Sequence, residues 1–295
     1  MVELLLEPLQ YGFMQRSLVI AIAIGVICAV MGSYLMVQRL SLLGDAISHS
    51  LLPGLAIAYL LGFNIYVGAF IAGTLSTVAI DWIRTQTTIK EDAAMGIVFS
   101  AFFSLGITLI TVIQKDNKID LNHFLFGNIL GVTRADAIST VAIAILILAV
   151  VAALFKELLF YSFDPVAAEA AGLPVHLLGF GLMVLVALAL VASMKAVGLI
   201  LVLAMLITPG ATAYLLVPRL HQVMLLGSAL GVVGSVSGMY LSYFFNLPSG
   251  PAIVLVVSGF FVLSLLLSPS QGWLTQPRSA ASHSSLWKEI KALFH

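Results

Sequence analysis

Asp45 and His49 stand four positions apart within Leu42-Leu-Gly-Asp-Ala-Ile-Ser-His-Ser-Leu-Leu-Pro-Gly54, an apolar run that continues to Leu61. A helix brings residues four apart onto one face, so a carboxylate and an imidazole would lie side by side. An ionisable side chain at a bilayer centre costs about 2.5–3.5 kcal/mol on insertion scales, so such groups face a protein interior and mark the route of a substrate or ion. Carboxylate oxygen plus imidazole nitrogen is also a donor set for divalent first-row cations. Counted from Leu42, His49 would lie about 10 Å inside, too deep to snorkel easily. The structural alternative is a helix-start aspartate complementing the helix dipole, with the histidine bonded to a backbone carbonyl. Two side chains leave a coordination shell incomplete. A two-fold homodimer with this helix at its seam would supply two Asp and two His, a loose cage suited to an ion that must leave again.

The elements that must position this pair follow from composition. Hydrophobic residues make up 61% of the 295 and charged residues only 9%, where soluble domains carry about a quarter charged residues. The chain is therefore read as an all-α, polytopic integral membrane protein. Thirteen basic residues balance thirteen acidic ones, which gives no reason to expect a nucleic-acid partner. The start, Met1 to Glu7, carries two acids and no base, unlike a cleaved leader. Cys28 is the single cysteine, so no intrachain disulfide framework exists.

A spanning helix needs about 20 mostly apolar residues. Candidate segments are 17–37, 42–61, 65–83, 93–113, 136–155, 173–194, 197–217, 222–244 and 250–268. Thr208-Pro209-Gly210 makes the 197–217 segment a candidate for a broken or re-entrant helix, so eight to ten spans are expected. The stretch Ser50-Leu-Leu-Pro-Gly-Leu-Ala-Ile-Ala-Tyr-Leu-Leu61 echoes Leu206-Ile-Thr-Pro-Gly-Ala-Thr-Ala-Tyr-Leu-Leu216. Paired interruptions of this kind point to transport pathways, although an alphabet this apolar also produces chance echoes. With nine alternating segments and the 156–172 loop cytoplasmic, eight cations lie inside (Arg39, Arg84, Lys90, Lys156, Arg219, Arg278, Lys288, Lys291). Five lie outside (Arg16, Lys115, Lys118, Arg134, Lys195). That excess sets the amino terminus outside. The chain divides into a transmembrane domain over 1–270 and a cytoplasmic tail over 271–295, in which 286–294 reads either as a short interfacial helix or as a frayed end.

The loop Glu157 to Pro174 holds a second feature. Asp164 suits a helix N-cap, Pro165 the first helical position, the alanines the interior, and Gly172 with Pro174 the stop. The result is a helix of about two turns, too short to span. It is either an ordinary connector or a docking helix that receives motion from a partner. The chain cannot supply that motion itself, because no Gly-Lys dipeptide, and hence no phosphate-cradling loop, is present. Glu91 and Asp92 fit the start of a span, Asp81 an interfacial end, and His123 a polar loop. His176 and His221 sit at loop edges. His-Glu-x-x-His is absent, and Gly234-Ser-Val-Ser-Gly238 does not fit a nucleophile elbow.

Five stretches carry a family resemblance: Arg39 to Gly54, Glu91 to Ser100, Phe124 to Gly131, Phe163 to Gly172 and Val197 to Ala213. From about residue 10 to 268 the chain resembles the membrane permease of the manganese/zinc/iron ABC importer family, in wording closest to the manganese branch and its cyanobacterial members. The resemblance implies a vitamin-B12-permease-like (type II) importer in the bacterial cytoplasmic membrane. It would hold two copies of this chain, two cytoplasmic ATPase subunits and an extracytoplasmic metal-binding protein. It also implies that Asp45 and His49 coordinate the metal in transit, manganese or else zinc or iron, with no cofactor held permanently. The 164–172 helix, with Asp164, Pro165, Ala168, Glu169 and Gly172, would seat in the ATPase. The chain itself would not be an enzyme. From a different class, an ion-gradient-driven secondary transporter would use Asp45 as its proton-coupled group, and a structural scaffold would leave the pair without a task.

Overall fold

The computed structural model describes residues 7–113 and 129–268. The expectations at Lys115, Lys118 and His123, most of the Phe124 to Gly131 stretch, the 271–295 tail and its 286–294 helix lie outside those residues. Among the described residues every regular element is helical. In chain order these are α1 (Gly12–Val37), α2 (Leu43–Ser50), α3 (Leu52–Leu61), α4 (Ile65–Gln86), α5 (Glu91–Ile113), α6 (Arg134–Ala153), α7 (Phe155–Phe163), α8 (Pro165–Ala170), α9 (Val175–Val197), α10 (Leu199–Leu216), α11 (Leu220–Phe245) and α12 (Ser249–Leu267). Eight of them (α1, α4, α5, α6, α9, α10, α11 and α12) are long and apolar enough to cross a membrane.

Side-by-side contacts fix the directions. Gly25 lies against Gly231, and Ala29 against Gly227, so α1 and α11 are antiparallel. The rings of Tyr11 and Tyr243 meet at one end, 6.4 Å apart. Ser17 donates to the Ile129 carbonyl at 2.7 Å, which brings the chain entering α6 to that same end. At the other end Gln38 donates to Ser162 at 3.0 Å, and Arg84 pairs with Glu91 at 3.0 Å. The α2–α3 pair runs antiparallel to α4, with Leu51 and Ile47 near Gly73 and Ala58 near Gly68. Among the described residues the eight long helices and this kinked pair therefore run alternately between the same two ends.

Inside a membrane, lipid is as apolar as leucine, so helices associate by close packing rather than by apolar burial. α1, 26 residues and about 39 Å long, forms the centre. Ile20, Ala21, Ile24, Ile27, Cys28, Met31 and Tyr34 are each 2% exposed or less. Gly32 makes that position workable, because a Cβ there would fall on the Leu206 carbonyl oxygen of α10. The α3–α4 contact is equally close, with Gly54 and Gly68 each facing the other's carbonyl.

Three expectations about continuity require correction. The 42–61 segment is not one helix but two, divided at Leu51. Pro53 has no N–H for the His49 carbonyl, and the Leu51 N–H turns to that carbonyl instead. The 197–217 segment, a candidate for a break or re-entry at Pro209, is continuous through it. Gly210 and Gly227 leave room for α1 and α11 to close around that turn. The break lies upstream at Gly198, which alone separates α9 from α10 at φ +76°, a region natural to glycine. Finally, the 156–172 loop contains a helix that was not anticipated, α7, held by buried Leu158, Tyr161 and Ser162 and parted from α6 by Leu154 alone.

Candidate metal site

α2 carries Asp45 in its first turn and His49 in its last. The intervening residues explain why this eight-residue helix holds its place. Leu43, Gly44, Ala46, Ile47 and Ser48 are buried, and α2 packs against α4, α5, α9 and α10. The serines are satisfied locally, since Ser48 and Ser50 donate to the carbonyls of Gly44 and Ala46, each at 2.7 Å. That leaves the carboxylate and the imidazole as the polar groups free to act.

The pair is brought together as the spacing required: Nε2 of His49 is 3.6 Å from Oδ1 of Asp45. The site also lies deeper than a count from Leu42 suggests. The His49 ring meets Phe99 and Phe103 of α5, each at 5.3 Å and near-perpendicular, and Phe103 is twelve residues, about 18 Å, along α5 from Glu91. Gly44 touches Leu203 and Leu206 in the middle of α10. The reason is that the chain between α1 and α2 is tucked inward, with Leu40 and Leu43 buried and Arg39 at φ +61°. The Asp45 side chain is 50% exposed and that of His49 26%, so the pair opens at the protein surface near mid-span. Among the described residues no third His, Cys, Asp or Glu joins them. One protomer thus offers an ion two side-chain ligands, one hard oxygen and one borderline nitrogen, and the rest of any coordination shell must come from elsewhere.

The second candidate region sits at the end marked by Gln38 and Arg84. Asp164 caps α8 by accepting from the Ala167 N–H at 2.9 Å, Pro165 occupies the first turn, and Gly172 at φ +84° ends it. Glu169 and Gly172 face outward, but Ala168 is wholly buried where α8 meets α7 and α9. Ala168 therefore anchors the helix to its own chain, whereas Phe163 and Val166, 61% and 76% exposed, give this end an apolar outer surface. A cavity of about 290 Å³ lies beneath, lined by Pro165, Ser162, Gln38, Arg39, Arg84 and Glu91 among others. It places the α7–α8 corner beside the strand of chain that leads to Asp45.

Of the remaining sequence candidates, Glu91 both opens α5 and pairs with Arg84, Asp81 is 4.0 Å from Arg84, and His176 and His221 are exposed. Phe99 and Phe103 were missed as site residues. Their i,i+4 spacing was the available signal, but nothing in it named a histidine as partner.

In sequence and fold the chain is similar to known proteins. The ABC 3 transport family matches this chain over residues 10–268. The manganese transport system membrane protein MntC of Listeria innocua is 47% identical over 272 residues, 92% of this chain and 96% of its own. A probable iron transport system membrane protein of Haemophilus influenzae is 41% identical over 268 residues, 91% of this chain and 98% of its own. Among solved structures, a chain of PsaBC from Streptococcus pneumoniae in complex with Fab superposes with a TM-score of 0.82 at 40% identity, covering 92% of this chain and 98% of that one. A bundle of eight membrane-length helices, matched by the family over residues 10–268, is a transport protein, and the chain belongs to the ABC 3 transport family.

Proposed function

We propose that this chain is the permease subunit of an ATP-driven importer of divalent metal ions, with manganese as its cargo, in the cytoplasmic membrane of a bacterium. The observation that carries this reading is the Asp45–His49 pair, 3.6 Å apart and level with the middle of α5. Manganese is the weakest binder of the divalent first-row series at a given N/O site, so a two-ligand site holds it loosely enough to let it go. The manganese-named relative supports that cargo, and the iron-named relative keeps Fe²⁺ as the alternative.

Partners follow from what the chain lacks and what its surface offers. A second copy of the chain facing Asp45 would complete the coordination shell with another carboxylate and imidazole. Two ATPase subunits would seat on α8 and the apolar surface of Phe163 and Val166, and an extracytoplasmic metal-binding protein would deliver the ion at the opposite end. Motion of α8 would reach the site through the Ser162–Gln38 hydrogen bond and the inward-tucked chain before α2.

The test is to purify the full chain from its native membrane and identify what co-elutes. Reconstituted vesicles should then show ATP-dependent manganese uptake, with zinc and iron as competitors. Uptake that follows a proton gradient and needs no nucleotide would replace this reading with the secondary transporter.

A further inference from the structure

His49 presents an anomaly for a metal ligand. A ligating imidazole almost always donates its second N–H to a carboxylate, a carbonyl or a water, which fixes the tautomer and raises the basicity of the ligating nitrogen. Nε2 faces Asp45 at 3.6 Å; to ligate an ion lying between them it must present its lone pair, which leaves the one proton of the neutral imidazole on Nδ1. Yet Nδ1 is buried with no hydrogen-bond partner among the described residues. The ring stands edge-on at 70° to Phe99 and 87° to Phe103, whose own rings lie 5.7 Å apart in a stacked arrangement. The aromatic faces can receive an N–H only weakly.

We propose that Phe99 and Phe103 set the affinity of the transport site, by holding His49 with Nε2 toward Asp45 while denying Nδ1 a strong acceptor. This inference rests on Asp45 and His49 being the metal ligands. The consequence is a less basic Nε2 and a weaker bond to the ion, which is the property that transit requires and a storage site would not tolerate. The two phenylalanines are positioning residues: neither touches the ion, and both act through the imidazole.

The prediction is that supplying an acceptor tightens the site. In the purified full-length chain, with the subunits that co-elute, Mn²⁺ binding is read from the EPR amplitude of the free aquo ion. Phe103→Gln, and independently Phe99→Gln, should bind Mn²⁺ roughly 10-fold tighter or more, the usual size of such a hydrogen bond to a ligating histidine. Vesicle uptake should turn over more slowly in the same variants. Phe103→Leu removes the ring without adding an acceptor and should not tighten binding, since no hydrogen bond to Nδ1 is gained. In a His49→Ala background the glutamine should tighten nothing.

Glutamine variants of normal elution profile that bind Mn²⁺ no tighter than the parent would overturn the proposal. So would a tightening that survives His49→Ala, which would mean that the glutamine itself ligates. Loss of the underlying reading shows separately: if Asp45→Ala and His49→Ala leave Mn²⁺ binding unchanged with both phenylalanines intact, the ligands are not this pair, and the inference falls with them.

Discussion

A carboxylate half open to its surroundings at mid-span is hard to explain as a structural element, because a group that only braced the helix would be stabler buried and bonded, or absent. Among the described residues the ionisable partner of Asp45 is His49 at 3.6 Å, and no cluster of three potential metal ligands forms around it. Asp45→Ala and His49→Ala should therefore each reduce metal uptake to background while the chain still inserts and elutes normally. Its thermal stability should stay equal to the parent's or rise. Asp45→Glu keeps the charge and displaces the oxygen by a methylene, so partial uptake is expected. Parental uptake rates in both alanine variants would remove the pair from the mechanism. The pair was legible in the sequence because two ionisable groups at helical spacing are outliers in so apolar a run. Phe99 and Phe103 were not, because two of 17 phenylalanines become distinctive only once tertiary packing sets a histidine ring against them.

At the scale of the element, the short helices were less legible than the long ones. Eight spans followed from apolar length, and their bounds moved by only a few residues. The two Pro-Gly sites looked alike in sequence but part in structure. Around Pro209 the small residues of α1 and α11 close on an unbroken α10, whereas Pro53 falls just after a division at Leu51. Which proline interrupts its helix is decided by neighbours that a local pattern does not contain. The α8 helix invites a direct test. Ala167 and Ala170 are the positions to enlarge, because Ala168 is buried against the chain's own helices and a larger side chain there would unseat α8 itself. Ala167→Lys with Ala170→Lys would place unpaired charge in a docking seam. Gly172→Pro would remove the N–H that bonds the Glu169 carbonyl at 2.9 Å, at a φ of +84° that proline cannot adopt. Each change should preserve Mn²⁺ binding and abolish ATP-driven uptake, with the ATPase lost from the purified complex. An ATPase that stays bound and drives normal uptake would make α8 an ordinary connector.

The whole molecule is asymmetric between its two ends, and that asymmetry makes orientation testable. Among the described residues, Arg39, Arg84, Lys90, Lys156 and Arg219 gather at the end that carries α7 and α8, while Arg16, Arg134 and Lys195 belong to elements that begin or finish toward the other. Cations near span ends are retained on the cytoplasmic side, so the expected orientation sets the α8 end toward the cytoplasm. A docking helix for an ATPase requires the same side, although the charge argument does not use that requirement. Ile129, just before α6, is tied to Ser17 near the start of α1, while Glu91 at the beginning of α5 is tied to Arg84 at the opposite end, so in this orientation α5 runs outward and α6 returns. A cysteine or epitope tag near Glu169 should accordingly label only from the cytoplasm, and one near Asn117 only from outside. The kinked α2–α3 pair is the deciding element. If it failed to traverse, the two tags would still differ, but an amino-terminal tag would change sides and label together with Glu169. A three-tag experiment therefore separates the nine-traverse arrangement, with the amino terminus outside, from an eight-traverse one. Labelling of the amino terminus and Glu169 from the same side would return Asp45 and His49 to a re-entrant loop and take away their passage through the membrane.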